Sequence, residues 1–282
     1  MKDITVIIGP TAVGKSNYAI RLAHKIDAEI ISADAYQIYK GLNIGTAKVP
    51  ISERQGITHH LIDIKSPFES YNVNNFTQNT TQIISEIRSR NKSIIICGGT
   101  GLYIKAFLYR YEFPNKPHTQ KVELTSLTPD EQWAQLHQVD PETAIKIPAK
   151  NNRRVARALE IYHETGLKPS AARHQTTSMR TDVQLIGLNL ESRNTLIHKI
   201  NTRVDTMIHA GLIAEVESLL NQGVPHTTQS LQAIGYKEIV RYLLGHDKKD
   251  NAIEQIKIKT RQFAKRQMTW FNALPDVEWK QT

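Results

Sequence analysis

Short β-branched runs alternate with helical stripes along the first hundred residues. Residues 4–8 (ITVII) form an unbroken apolar run that ends at Gly9. From Asn17 to His24 the period changes, and Tyr18, Leu22 and Ile26 fall at i, i+4 and i+8, one face of a helix. Residues 29–32 (EIIS) predict a second strand, ending just before Asp34. Phe76 to Arg90 carries a helix period through Phe76, Ile83, Ile84 and Ile87, and residues 93–97 (SIIIC) predict a third strand that runs into Gly98-Gly99-Thr100-Gly101. Strands alternating with helices predict an α/β fold whose parallel sheet is covered on both faces. Such sheets bind ligands beyond the carboxyl ends of their strands, where Gly9, Asp34 and Gly98 all stand.

The texture changes near residue 112. Residues 112–150 hold five prolines (114, 117, 129, 141 and 148) and no strand-like run. A helix is predicted over Pro129–Val139, with Asp130 and Glu131 in its first turn, and another over Asn151–Thr165, stopped by Gly166. Residues 113–180 therefore read as a mostly helical insertion, and 1–112 with 181–282 as the core domain. Residues 183–188 (VQLIGL) return to the sheet, Ser192 caps a helix through His209, and helices are predicted at 212–221, 229–244 and 250–272.

Composition narrows the function classes. Within 282 residues no apolar run approaches the ~18 that a membrane span needs. The N-terminus enters a strand directly, without the pattern of a signal peptide. Cys97 is the single cysteine, so an internal disulfide and a cysteine-based zinc cluster are both excluded, and a cytoplasmic setting is expected. A net charge of +9 fits a polyanionic partner, and nothing in the sequence calls for an obligate protein partner.

The first candidate for chemistry is GPTAVGKS, residues 9–16, with the spacing G-x-x-x-x-G-K-S. Its glycines let successive N–H groups converge on phosphate oxygens, and the following helix aims its positive end at the same place. Lys15 adds a full charge, and the Ser16 hydroxyl can ligate Mg²⁺. Asp34 follows a buried strand in SADAYQIY; a turn residue, a helix cap, a metal-binding carboxylate and a catalytic group all suit that position. Thr100 in GGTG is either a turn residue or part of a site that a ligand approaches closely. His59 and His60 point to opposite faces of any strand, which predicts structural histidines rather than a shared metal site.

Two basic stretches remain. Residues 146–180 carry eight Lys/Arg against Glu160 and Glu164. Residues 255–270 carry five and no acid, with Lys257, Arg261 and Lys265 at i, i+4 and i+8 beside a core face that includes Ile256, Phe263 and Phe271. Such a stripe is either solvated or neutralises nucleic-acid phosphates. With no acid inside the stretch, its charges are expected to stand unrelieved.

The phosphate loop by itself suits an ATP-dependent small-molecule kinase of the P-loop class. Against that, SIIIC ends in Gly-Gly and not in the acid that many NTPases place there for Mg²⁺. The strings GPTAVGKS, ISADAYQIYKGLNIGTAK, HHLID, CGGTGLYIKA, NNRRVARALE, LIHKINTRVDTMIHAGLIAEV, QAIGYKE and RQFAKRQMTWF occur in this order over nearly the whole chain. Together they resemble the tRNA dimethylallyltransferases.

The resemblance implies a P-loop NTPase-like parallel sheet flanked by helices, with a mostly helical, tRNA-binding insertion. It implies transfer of a dimethylallyl group from dimethylallyl diphosphate to N6 of adenosine 37 in tRNA, with Mg²⁺ and without ATP. By matching motifs, Gly9, Pro10, Thr11, Ala12, Val13, Gly14, Lys15 and Ser16 hold the diphosphate, Thr11 lies near its reacting oxygen, and Arg203 contacts it. Asp34 is the general base. Asp34, Ala35, Tyr36 and Gln37, with Thr100, Arg153, Arg154 and Arg157, face tRNA, as do Gly235, Tyr236 and Lys237. The stretch from Lys265 through Arg266, Gln267 and Trp270 faces it too, and Arg261 joins through the basic stripe. Ala35 stands where the family usually has Ser. A non-catalytic RNA-binding module is the remaining alternative, and the position of Asp34 in the crevice speaks against it.

Overall fold

The computed structural model describes residues 3–113, 127–172 and 176–282. Pro114, Pro117 and Arg173, which enter the sequence reading, lie outside them. The chain divides into two compact units, Met1–Lys105 with Arg180–Thr282, and Ala106–Met179.

The first unit is built on a six-stranded, all-parallel sheet in the order β3-β2-β4-β1-β5-β6. Its strands are β1 (Ile4–Ile8), β2 (Ala28–Ser32), β3 (His59–His60), β4 (Ser93–Cys97), β5 (Val183–Asn189) and β6 (Glu278–Gln281). Every residue of β1 and β2 is buried, as near-continuous apolar runs require when helices cover both faces. Ile7 pairs with Cys97 on one side and Ile186 on the other. The carboxyl ends of β4 and β1 therefore lie within one residue of each other, while β5 runs on to Asn189, and the loops after β1 and β4 open at one edge.

Helix α1 (Lys15–Ile26) packs Ala19, Ile20 and Ala23 with Ile7, Ile30, Ile95 and Ile186 in one core. Helix α2 (Val73–Ser89) starts in a reciprocal cap between Asn72 and Asn75. The Ser192 side chain accepts the Thr195 N–H at the start of α7 (Arg193–His209), the cap that the sequence predicts. Helices α8 (Leu212–Asn221), α9 (Tyr236–Leu243) and α10 (Lys249–Asn272) complete the unit. Among the described residues, no helix is long and apolar enough to cross a membrane.

In the second unit, α4 (Pro129–Val139) begins in a capping box between Thr128 and Glu131. Helix α5 (Pro141–Lys146) is capped by the buried Asp140, and α6 (Asn152–Thr165) ends at Gly166 with φ 67°. Leu136, Ala144, Val155, Ala158 and Leu159 form a small core of their own.

Four elements depart from the sequence pattern. β3 has two residues and β6 reads EWKQ, so neither carries an apolar alternation. β6 is held by pairing with β5, where a Cβ on Gly187 would come within 2.5 Å of the Trp279 ring. Helix α3 (Gly101–Leu108) is apolar almost all round and lacks a stripe. The helix predicted over 229–244 is broken: Ser230–Gln232 is a 3-10 turn, and α9 starts only after Gly235, whose φ is 98°.

Candidate active site

The phosphate loop leaves β1 and enters α1. Gly9 has φ 146°, and a Cβ there would lie 2.5 Å from the Leu188 carbonyl oxygen, so only glycine fits where β1 turns beside β5. Ala12 and Gly14 also take left-handed backbone, φ 66° and 98°, which curls the loop back over the start of α1. Lys15 Nζ donates to the carbonyls of Gly9 (2.9 Å) and Pro10 (2.8 Å), so its ammonium sits in the curl. Part of the side chain borders the crevice, but protein surrounds its charged end. That burial pushes the Lys15 ammonium down to about 8, with Arg203 adding to the effect and Asp34 opposing it.

Asp34 stands just past the end of β2. Its Oδ1 accepts the N–H groups of Tyr36 (2.9 Å) and Gln37 (3.3 Å). One carboxylate oxygen is thus spent on a turn, which fixes the direction of the other. Ala35 donates its N–H to Thr100 Oγ1 (3.1 Å). The Gln37 side chain accepts from Ser32 Oγ (3.0 Å) and donates to the Thr46 carbonyl (3.2 Å). The glycines after β4 border the crevice, but internal packing already requires them to lack side chains. A Cβ on Gly98 would strike the Ala33 carbonyl at 2.2 Å, and one on Gly99 would strike Gln267 Nε2 at 2.2 Å. They let β2 and α10 close onto the turn.

Two adjoining chambers open here. The first, about 760 Å³, is bordered by the phosphate loop with Asp34, Lys48, His198, Lys199 and Arg203. The second, about 310 Å³, runs from Asp34 and Thr100 to Val204, Met207, Ile234, Gly235, Ile256 and Trp270. Thr11, Asp34, Arg203 and Gln267 border both. Burial also lowers the Arg203 guanidinium from its ordinary value, while the Asp34 carboxylate pulls the other way. The first chamber thus carries the cations and loop N–H groups, beside Glu53 and apolar residues such as Val49 and Pro50, and the second is lined mostly by apolar side chains. A carboxylate stands where they meet.

Long-range contacts hold the second wall of the crevice, Gly45–Lys48. Glu215, in the first turn of α8, accepts N–H groups from Asn43 (3.0 Å), Ile44 (2.9 Å) and Gly45 (3.3 Å). Tyr236 donates its O–H to the same carboxylate. Lys48 is buried and donates to the Tyr39 carbonyl (2.9 Å), Asn43 Oδ1 (2.9 Å) and Asp63 Oδ1 (2.6 Å).

Two of the residues expected to face tRNA, Tyr236 and Gln267, have structural partners of their own. Tyr236 is fully buried beneath Gly45, with its O–H on Glu215, so it has no surface to offer. Gln267 is also buried. Its Oε1 accepts the Thr11 N–H (2.8 Å) and its Nε2 donates to the Gly99 carbonyl (2.9 Å), clamping the loop to the turn after β4. Gly235 borders the second chamber, and Lys237 is exposed on α9. Trp270 is 41% exposed at the second chamber, with Lys105 Nζ 5.9 Å above its ring.

The basic stripe is not unrelieved. Lys257 pairs with Asp205 at 2.6 Å, and Arg261 reaches Asn201 Oδ1 (2.7 Å) and Glu254 (3.1 Å). Those partners lie on α7 or just before the stretch, where a count within it cannot see them. Lys265 and Arg266 are exposed and form no ion pair among the described residues. On α6, Arg153 and Arg154 are exposed, while Arg157 pairs with Glu160 (2.8 Å) and Glu164 (3.6 Å).

No group of three His, Cys, Asp or Glu side chains that could hold a metal occurs among the described residues. His59 Nδ1 lies 2.9 Å from the Ile57 carbonyl and His60 Nε2 2.6 Å from Glu29, so both histidines are structural, as predicted. In the crevice the protein offers a cation the Ser16 hydroxyl and the carboxylates of Asp34 and Glu53, which no third acidic, histidine or cysteine ligand joins among the described residues. So sparse a donor set fits Mg²⁺ carried mainly by substrate phosphate oxygens, and not an all-protein cage.

A parallel sheet with a G-x-x-x-x-G-K-S loop at its carboxyl edge, opening into a chamber that Lys15, Lys48, Lys199 and Arg203 border, defines a P-loop NTPase-like α/β protein. Within that class the chain belongs to the IPP transferase family, whose model matches residues 37–274. It is 47% identical over 281 residues to the tRNA dimethylallyltransferase of Anoxybacillus flavithermus, covering 99% of this chain and 90% of the relative. The enzyme of that name from Bacillus cereus is 45% identical over 285 residues, covering 99% and 89%. The crystal structure of full-length tRNA isopentenylpyrophosphate transferase from Bacillus halodurans aligns with a TM-score of 0.74 and 38% identity, covering all of this chain and 90% of that one. Crystallographic snapshots of a eukaryotic dimethylallyltransferase acting on tRNA align with a TM-score of 0.83 and 31% identity, covering 99% and 73%.

Proposed function

We propose that this chain transfers a dimethylallyl group from dimethylallyl diphosphate to tRNA, at N6 of adenosine 37. The observation that carries this reading is the Asp34 carboxylate between a cationic phosphate chamber and a mostly apolar one, one oxygen tied to backbone N–H groups.

The adenine N6 lone pair is delocalised into its ring and is a weak nucleophile, so the electrophile must be activated. The loop N–H groups, Lys15 and Arg203 stabilise the negative charge that grows on the departing diphosphate. Mg²⁺ bound by Ser16 and the diphosphate oxygens would neutralise part of the same charge. The C–O bond breaks with its electron pair on the diphosphate, the N6 lone pair forms the new C–N bond, and Asp34 takes the N6 proton. Fixed by Tyr36 and Gln37, Asp34 meets the base without reorganising. The adenine must leave its stack to enter the second chamber, which is cheapest in a single-stranded loop. Exposed Lys265, Arg266 and Trp270, with Arg153 and Arg154 on α6, offer phosphate and stacking contacts to the tRNA.

A kinase reading is disfavoured because β4 ends in Cys97-Gly98-Gly99, with no acid for a nucleotide-bound metal. The test is incubation with dimethylallyl diphosphate, Mg²⁺ and unmodified tRNA, then nucleoside mass spectrometry. Dimethylallyladenosine is expected. Its absence, with ATP consumed on a small acceptor instead, would overturn the reading.

A further inference from the structure

Its place on the apolar stripe of α10 reads Phe263 as a core residue. Its ring instead lines the crevice, and among the described residues it is the only wholly apolar side chain that borders both chambers. We propose that Phe263 sets the chain length of the prenyl donor. This rests on the function proposed above.

The diphosphate belongs in the first chamber and the acceptor base in the second, so the reacting carbon lies at their junction. The carbons beyond it need an apolar surface there, and the neighbours at the junction are polar: Thr11, Asp34, Arg203 and Gln267. Phe263 supplies that surface. The second chamber, at about 310 Å³, is at the lower end of the ~300–1,000 Å³ usual for ligand sites, and it must also admit a nucleobase. Standing at the entrance to that small chamber, the ring limits how far a second prenyl unit could extend into it.

The ring is held in place. Gln267, one turn further along α10, is anchored by the Thr11 N–H and the Gly99 carbonyl. The Arg266 guanidinium carbon lies 6.0 Å from the ring centroid. With a cation already against the ring, we assign Phe263 to shape and not to stabilising charge on the allylic carbon. A longer donor would react with the same balance: the C–O bond breaks onto the diphosphate, N6 forms the C–N bond, and Asp34 takes the proton.

The test compares dimethylallyl and geranyl diphosphate with wild type, Phe263→Ala, Phe263→Val and Phe263→Leu. The acceptor is unmodified tRNA, kcat/KM is measured for each donor, and melting temperature reports folding. Hydrophobic pockets discriminate by roughly 10–200-fold per methylene when the wall is rigid. Phe263→Ala should therefore raise the geranyl-to-dimethylallyl ratio at least tenfold, while Phe263→Leu, which keeps most of the bulk, should hold it near wild type. If Phe263→Ala does not fold, Phe263→Val should show the rise. An unchanged ratio in a folded Ala or Val variant, with wild type active, would overturn the assignment and leave the proposed function standing. A wild type that prenylates no tRNA overturns both.

Discussion

The phosphate loop and the segment Gly45–Lys48 border the same chamber, yet different forces hold them. The loop is mostly local: eight consecutive residues curl through left-handed turns and Lys15 bonds to its own loop carbonyls, with one distant clamp from Gln267 at Thr11. The second wall is held from elsewhere, by Glu215 and Tyr236 more than a hundred residues away in sequence, and by Asp63 through Lys48. A local motif makes a ligand site that survives changes in its surroundings. A wall pinned by distant carboxylates depends on its neighbours, so damage to each wall should look different.

The largest effect is expected at the group the two walls enclose. Asp34→Asn keeps the size and one acceptor oxygen but cannot usefully take a proton. Single-turnover transfer should fall by about 10²–10⁴-fold. Donor and tRNA affinities should change by less than about tenfold, or ~1.4 kcal/mol, in equilibrium titrations.

Next comes the local wall. Lys15→Ala removes the only full charge of the loop and should cost about 10²–10³-fold in transfer rate, with weaker donor binding. Lys15 also gives that wall a pH signature. Burial sets its free ammonium at about 8. Below that pH it is already charged when the donor arrives; above it, binding must take up a proton. Phosphate second ionisations lie near about 6, so the donor keeps its charge over this range. Donor affinity should fall as pH rises through 8, by up to about tenfold per unit, and Lys15→Met should flatten the profile.

The distant wall should fail more gently and be repairable. Glu215→Ala leaves three N–H groups of Asn43–Gly45 without their acceptor. Misplacing a site wall by ~1 Å can cost up to about 10²-fold; about tenfold in kcat/KM is expected here, because Lys48 still ties the segment to Asp63. Added formate should refill the three N–H groups and restore activity to Glu215→Ala but not to Lys15→Ala. A Glu215→Ala enzyme with wild-type kcat and KM would erase the distinction between the walls.

The smallest effect lies outside the crevice. Each phosphate contact contributes about −0.7 to −0.9 to the slope of log K against log salt. Lys265→Ala should flatten the slope for tRNA binding by about one contact. Lys257→Ala should flatten it less, since Asp205 already neutralises that lysine.

The same contrast explains what the sequence revealed. The phosphate loop, the sheet class, Asp34 at a strand end and the Ser192 cap rest on short-range patterns, and all were legible. The Glu215 acceptor site was not, because an acid in the first turn of a helix already has a sufficient local reason to be there. Phe263 was hidden by its own periodicity: an apolar residue on a helical stripe reads as core whether the space beneath it is filled or open. The partly neutralised stripe on α10 was misread because Asp205, the carboxylate that pairs with Lys257, sits on α7, far off in sequence. β3 and β6 depend on sheet pairing, which no local pattern encodes.

The most direct test of the central claim, that Asp34 takes the N6 proton, is single-turnover prenylation of an anticodon stem-loop by Asp34→Asn across a Mg²⁺ titration. If Asp34 is the base, saturating Mg²⁺ leaves the variant at least about 10²-fold below wild type. Recovery to near the wild-type rate at high Mg²⁺ would make Asp34 a metal ligand instead and contradict the account.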